Sequence, residues 1–189
     1  MPDIPLLITG AHVVDPSQNF DDHADLLVID GKVAEIGRVQ TMPENCKKIK
    51  ASGMHLFPGL VDARVFIGEP GGEHRETIAS ASRAAAKGGI TSMIMMPETD
   101  PAIDNVALVD FVRRAARDDA EVRIYPAVSI TKDFAGTELT EFGLLQEAGA
   151  VMLTEGRRSL ENTLVLRRAL TYARDFDLTI SVETNDPHL

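Results

Sequence analysis

At 189 residues, with 44% hydrophobic and 25% charged side chains, the chain can build one domain or one and a part, and its make-up is that of a globular protein. A formal charge of −10 repels phosphate backbones and anionic lipid headgroups, so neither nucleic acid nor a membrane surface is expected as a partner. One cysteine, Cys46, excludes an internal disulfide, and no stretch nears the ~20 apolar residues of a membrane helix.

The first ten residues, MPDIPLLITG, carry no basic leader, which points to a cytoplasmic chain. Residues 1–57 read as β. Leu6–Val14 is a strand candidate, and two apolar runs between Ala24 and Gly37 flank Asp30-Gly31, the signal of a type I′ hairpin. Lys48–Lys50 is a short third run. Cys46, in a polar loop, reads as a spectator.

From Pro58 the pattern alternates. Leu56–Val65 reads as a strand and His74–Lys87 as a helix closed by Gly88-Gly89. Ser92–Met96 is a continuous apolar strand whose Met93, Met95 and Met96 are expected to fill core. Asp104 or Asn105 caps a helix that aligns Leu108, Val112 and Ala115. Val122–Val128 follows as a strand, Thr140–Ala148 as a helix and Val151–Leu153 as a strand. Ser159 is expected to cap a helix carrying Leu166, Leu170 and Ala173, and Leu178–Val182 closes the series. Apolar strands at ~30-residue spacing indicate βαβ units around a parallel sheet. No Gly-x-Gly-x-x-Gly or P-loop follows the first strand, which removes the support for a dinucleotide-binding fold.

Certain segments carry a family resemblance. Phe57–Asp62, Glu69-Pro-Gly-Gly-Glu-His-Arg-Glu-Thr-Ile78, Ser82–Thr91, Met96-Pro97, Gly149–Val151 and Asn185–Leu189 together resemble the dihydroorotases, among the cyclic amidohydrolases. The resemblance implies an α/β fold: a small β-sandwich segment over residues 1–57, then a partial (β/α)8 TIM barrel of the metal-dependent hydrolase type over 58–189. It also implies chemistry in which one or two zinc ions activate water against a cyclic amide. In that family two histidines, one residue apart on the first barrel strand, bind metal, and an arginine two residues on holds the substrate carboxylate. A carboxylate or carboxylated lysine after strand 4 and a histidine after strand 5 complete the site.

This chain departs from that pattern position by position. Arg64 and Phe66 stand at the two histidines, Gly68 at the arginine, and Glu98 at an asparagine of Met-Pro-Asn-Thr. The strand-4 segment is Thr154-Glu155-Gly156, and Glu183 replaces the strand-5 histidine. Asp62 keeps its place and is expected to hydrogen bond at a strand end. A guanidinium is no ligand, so Arg64 and Glu183 are expected to form an ion pair in the vacated metal site. Glu155 and Glu183 holding a hard cation such as Mg²⁺ or Ca²⁺ is the weaker alternative. No zinc or other cofactor is therefore expected.

His12, His23, His55, His74 and His188 look scattered, without ligand spacing. Arg113-Arg114 and Arg157-Arg158 read as solvated helix faces or starts. The leading functional expectation is a non-catalytic, dihydroorotase-like partner of the aspartate carbamoyltransferase catalytic chain. A homo-oligomer or a partner completing an open barrel edge is also expected. The alternatives are an active amidohydrolase that opens dihydroorotate to carbamoyl aspartate with an altered metal site, and a metabolite-binding barrel mouth.

Overall fold

The structure, a computed structural model, describes residues 4–185; His188 and most of the Asn185–Leu189 segment lie outside the described residues. The chain divides into two compact units, Met1–Pro58 and Gly59–Leu189.

The first unit is one five-stranded sheet. β1 (Leu6–Asp15), β2 (Phe20–Ile29) and β3 (Lys32–Gly37) form an antiparallel meander. β4 (Lys47–Lys50) and β5 (His55–Leu56) run parallel to β1, against its first and second halves. Asp30 and Gly31 turn between β2 and β3 with φ of 49° and 70°, the positive values a I′ turn demands. One face buries Ala11, Val13, Ala24 and Ala51. The expected strand Leu56–Val65 is two: Leu56 pairs in this sheet and Leu60–Val65 starts the next. Pro58, which has no N–H to offer a ladder, lies in the break.

The second unit is a curled, parallel half-barrel. Its strands β6 (Leu60–Val65), β7 (Ile90–Met95), β8 (Arg123–Val128), β9 (Met152–Thr154) and β10 (Thr179–Ser181) lie side by side in chain order. Helices α1 (Ile78–Lys87), α2 (Val106–Asp119), α3 (Phe142–Ala148) and α4 (Thr163–Ala173) connect β7 to β10 and lead from β6 into β7. This is the partial (β/α)8 arrangement expected from the sequence.

Side-chain caps set the helix starts. Thr77 and Ser80 each donate a backbone N–H to the other's hydroxyl in a capping box, so α1 begins at Ile78 and not at His74. Asn105 caps α2. Thr140 is held off α3 by its hydroxyl, which donates to Ser129 O at 2.8 Å. Asn162, not Ser159, caps α4: its Oδ1 accepts from Leu164 N and Val165 N. Asn accepts at that geometry as well as Ser does, and the sequence offers both.

Met93 and Met95 point to the helices, where Ile78, Val109, Val112, Phe142, Leu145 and Leu153 form the main core. Met96 lies on the opposite face with Ala127, Met152, Ile94 and Phe66. All three methionines are core, as expected. Inner strand β9 is buried throughout, whereas edge strand β6 leaves Leu60 58% and Val61 66% exposed.

Candidate functional site

The C-terminal ends of parallel barrel strands gather side chains at one rim. Here that rim collects Arg64 at the end of β6, Phe66 just beyond it, Glu98 after β7, the turn Glu155–Arg158 after β9, and Glu183 after β10.

Arg64 is the hub. Its Nη2 donates to Glu183 Oε2 at 2.8 Å and to Gly156 O at 3.0 Å. The ion pair expected from the sequence is direct. Ser159 helps to seat its partner: its hydroxyl donates to Glu183 O at 3.5 Å and also bonds Asn185 O. The serine read as a helix cap thus ties the β9 turn to the end of β10.

A second ion pair closes beside the first. Arg157 Nε donates to Glu98 Oε1 at 3.1 Å. Glu98 is only 12% exposed, and its Oε2 is buried without a partner among the described residues. It presses against Gly156, where a Cβ would stand 2.2 Å from Glu98 Oε2. Both guanidinium groups lie over the Phe66 ring, Arg64 at 5.7 Å and Arg157 at 4.6 Å from its centroid. Such stacking is worth ~0.5–1 kcal/mol at an exposed site. Two arginines, two glutamates and one benzyl group make a neutral, interlocked rim.

The pair Arg157-Arg158, expected at solvated helix faces or starts, is exposed as expected but lies in a turn ahead of α4 and not in the helix. Both lie in the turn after β9, Arg157 over Phe66 and Arg158 over Phe134 at 4.6 Å. Arg113 is likewise engaged: its Nη1 donates to Ala148 O at 2.6 Å, where a cation suits the exposed carbonyls ending α3.

Glu155 is engaged by Thr131. It is 3% exposed, and its Oε1 accepts from Thr131 N at 2.7 Å and from the Thr131 hydroxyl at 3.0 Å. The weaker expectation, a hard cation held jointly by Glu155 and Glu183, is not supported by this arrangement. Burial pushes the Glu155 carboxyl above its ordinary range, and the Thr131 bonds offset only part of that rise. A carboxyl raised in the fold binds more protons folded than unfolded, so its contribution to stability falls as pH rises through its folded pKa. Glu155→Gln keeps an acceptor for Thr131 without the charge. It is expected to raise the melting temperature at pH 7 by about 2–4 °C, the effect of ~1 kcal/mol in a chain of this size. The gain should shrink in mildly acidic buffer; a melt that is unchanged or lower at pH 7 would contradict the account.

Asp62 behaves as expected for a strand end, accepting Arg64 N at 3.1 Å. Gly68, at the family's arginine position, has no room for a side chain: a Cβ would stand 2.2 Å from Gly72 O. The donors at this rim do not fit zinc. Arg64 and Phe66 offer no lone pair, Glu183 is held by Arg64, and Glu155 by Thr131.

One grouping was not foreseen. The histidines read as scattered are partly assembled by strand register: His12 lies opposite His23 on one side and His55 on the other. Their ring centroids are 5.1 and 5.0 Å from His12. His12 Nε2 lies 2.6 Å from Asp21 Oδ1.

Comparison with known proteins agrees with the half-barrel and its helices. Residues 53–189 match the family model described as dihydro-orotase-like. A dihydroorotase of Citrifermentans bemidjiense is 40% identical over 181 residues, covering 96% of this chain and 43% of that protein. A dihydroorotase of Syntrophus aciditrophicus is 40% identical over 185 residues, covering 97% and 43%. The chain thus spans less than half the length of these relatives. Among solved structures, the L-hydantoinase (dihydropyrimidinase) of Arthrobacter aurescens superposes with a TM-score of 0.79 at 24% identity, covering 97% of this chain and 41% of that one. A dihydroorotase crystal structure superposes at 0.65 and 15% identity, covering 98% and 52%. At such identities the structures speak for the fold alone.

Proposed function

We propose, for a chain that belongs to the dihydroorotase-like family, a non-catalytic role in pyrimidine biosynthesis as a structural partner of the aspartate carbamoyltransferase catalytic chain. The observation that carries the inactive half of this reading is the Arg64–Glu183 pair at 2.8 Å. A permanent cation stands where a metal-binding imidazole stands in the family, and the carboxylate that could have held an ion neutralises it. Gly68 removes the guanidinium that would hold an anionic substrate, and Glu98 adds a negative charge beside its place. Both changes oppose dihydroorotate, itself an anion.

The partnering half is supported by the exposed apolar edge strand β6. Among the described residues, edge strand β6 has a partner on one side only, β7, and exposes Leu60 and Val61. A protein that keeps the barrel frame without its chemistry has a use for the frame as a contact surface. Co-purification from source cells tests this. A stable complex with the carbamoyltransferase chain is expected, and a chain that purifies without it would sink the reading.

A second reading is an active amidohydrolase, favoured by the names of relatives at 40% identity. It requires ligands from carboxylates that are already engaged here. Hydrolysis of dihydroorotate by the zinc-loaded protein, above the rate in buffer, would establish it in place of the first.

A further inference from the structure

We propose that His12, His23 and Asp21, backed by His55, form a surface site for a borderline divalent transition metal of the zinc, nickel and copper class. The site lies wholly in the first unit and does not rest on the scaffolding proposal.

Strand register is the foundation. Ala11, Val13 and Ala24 face the buried side of the sheet, so their chain neighbours His12 and His23 face the other. Directly opposed residues on neighbouring strands have Cβ atoms ~4.5–5.5 Å apart. Two imidazole nitrogens on one tetrahedral ion, each at ~2.0–2.1 Å, stand about 3.3 Å from one another. An opposed His–His pair spans that separation with ordinary rotamers.

The third donor is already in place. Asp21 lies two residues before His23 on the same face, and its Oδ1 is 2.6 Å from His12 Nε2. Moving these two atoms apart by less than an ångström admits an ion between them. His55 stacks on the other side of the His12 ring at 5.0 Å and is itself stacked on Phe57 at 6.0 Å. It limits the swing of His12 and holds a further imidazole within reach.

Among the described residues no three donors yet converge on one point. Binding therefore requires the exposed ring of His23 to turn about its side-chain torsions, a low-cost motion for a side chain in water. Imidazole with one carboxylate selects zinc, nickel and copper over magnesium and calcium, which prefer all-oxygen sites. The surrounding field favours any cation, because Asp22 and Asp25 flank His23 on β2 and the whole chain carries −10.

The test is titration of the purified chain with zinc and, separately, with nickel at pH 7.5. Calorimetry gives stoichiometry, and the imidazole proton resonances locate the ion. One saturable equivalent is expected, with His12 and His23 resonances shifting in zinc and broadening in nickel, and no response to magnesium. His12→Ala and His23→Ala should each weaken binding at least about tenfold, and His74→Ala should not. Lack of saturation at millimolar zinc, or affinity unchanged in both alanine variants, would overturn the proposal. Zinc that survives both variants but is lost in Glu183→Gln would place the ion at the barrel rim. That result overturns this site and the inactive rim together, whereas simple failure to bind leaves the rim reading intact.

Discussion

Replacing Arg64, Phe66 and Glu183 together by histidine is expected to give the barrel rim a zinc affinity at least about a thousandfold above that of the unaltered rim. The gain rests on ligation. Arg64 opposes a divalent ion and Glu183 attracts it by a Coulomb term of similar size, so exchanging both for neutral imidazole leaves the net charge unchanged. What changes is that three lone-pair donors replace two side chains that have none and one carboxylate held by the guanidinium. Geometry makes the substitution meaningful, because Arg64 and Glu183 already reach the same point in space at 2.8 Å. Phe66 follows Arg64 at the spacing of two, the relation that lets two rings on one strand address one ion. Competition with a chromophoric chelator, in a His12→Ala background that silences the first unit, measures the gain. Two results would refute the argument: zinc already tight at the unaltered rim, or a triple variant no better than its parent. The first would mean that the arginine is not an obstacle. The second would mean that the frame no longer holds the family's geometry and that more than ligands has been lost.

The same residues show what the sequence could reveal. The Arg64–Glu183 contact joins positions 119 apart in the chain, and no local pattern encodes such a meeting. It was legible because the resemblance supplied a frame in which both positions converge. The frame did not extend to the turn after β9. Arg157-Arg158 has the look of a helix start because Ser159 follows it, and only the position of Asn162 shows that the helix begins later. That displacement frees Arg157 to cross to Phe66 and Glu98. Glu155 fails for a related reason. Strand periodicity says which face a residue occupies, yet Thr131 decides where its carboxylate goes, and Thr131 arrives from another strand end. Local turn chemistry was easier: Asp30-Gly31 fixes its hairpin with two residues, because positive φ at both positions is a local requirement. The imidazole row is the opposite case. His12, His23 and His55 lie together only through the register of three strands, one parallel and one antiparallel to the middle one. Spacing along the chain carries no trace of this.

Phe142→Ala is expected to cost about 3–5 kcal/mol, the range for removing a large ring from a fully enclosed site. Phe142 opens α3, has no exposed surface, and stacks on Tyr172 of α4 with centroids 4.8 Å apart. Tyr172 in turn meets Phe176 edge-on at 5.2 Å. Gly143 completes the seam: a Cβ there would stand 2.8 Å from the Phe176 ring, so α3 comes this close only without a side chain at that position. Gln146 adds a bond from its Nε2 to Phe176 O at 3.0 Å. These contacts fasten α3 to the segment that delivers β10, and β10 delivers Glu183. Tyr172→Leu keeps most of the apolar volume and loses chiefly the ring pairing, worth ~0.5–1.5 kcal/mol. Urea denaturation of both variants separates the effects. Phe142→Ala should lower the midpoint severalfold more than Tyr172→Leu, with the slope unchanged for both. Equal losses would mean that aromatic pairing dominates over filled volume. A smaller slope for Phe142→Ala would mean that the β9–β10 end of the sheet had loosened before global unfolding, and the Arg64–Glu183 pair would then be lost with it.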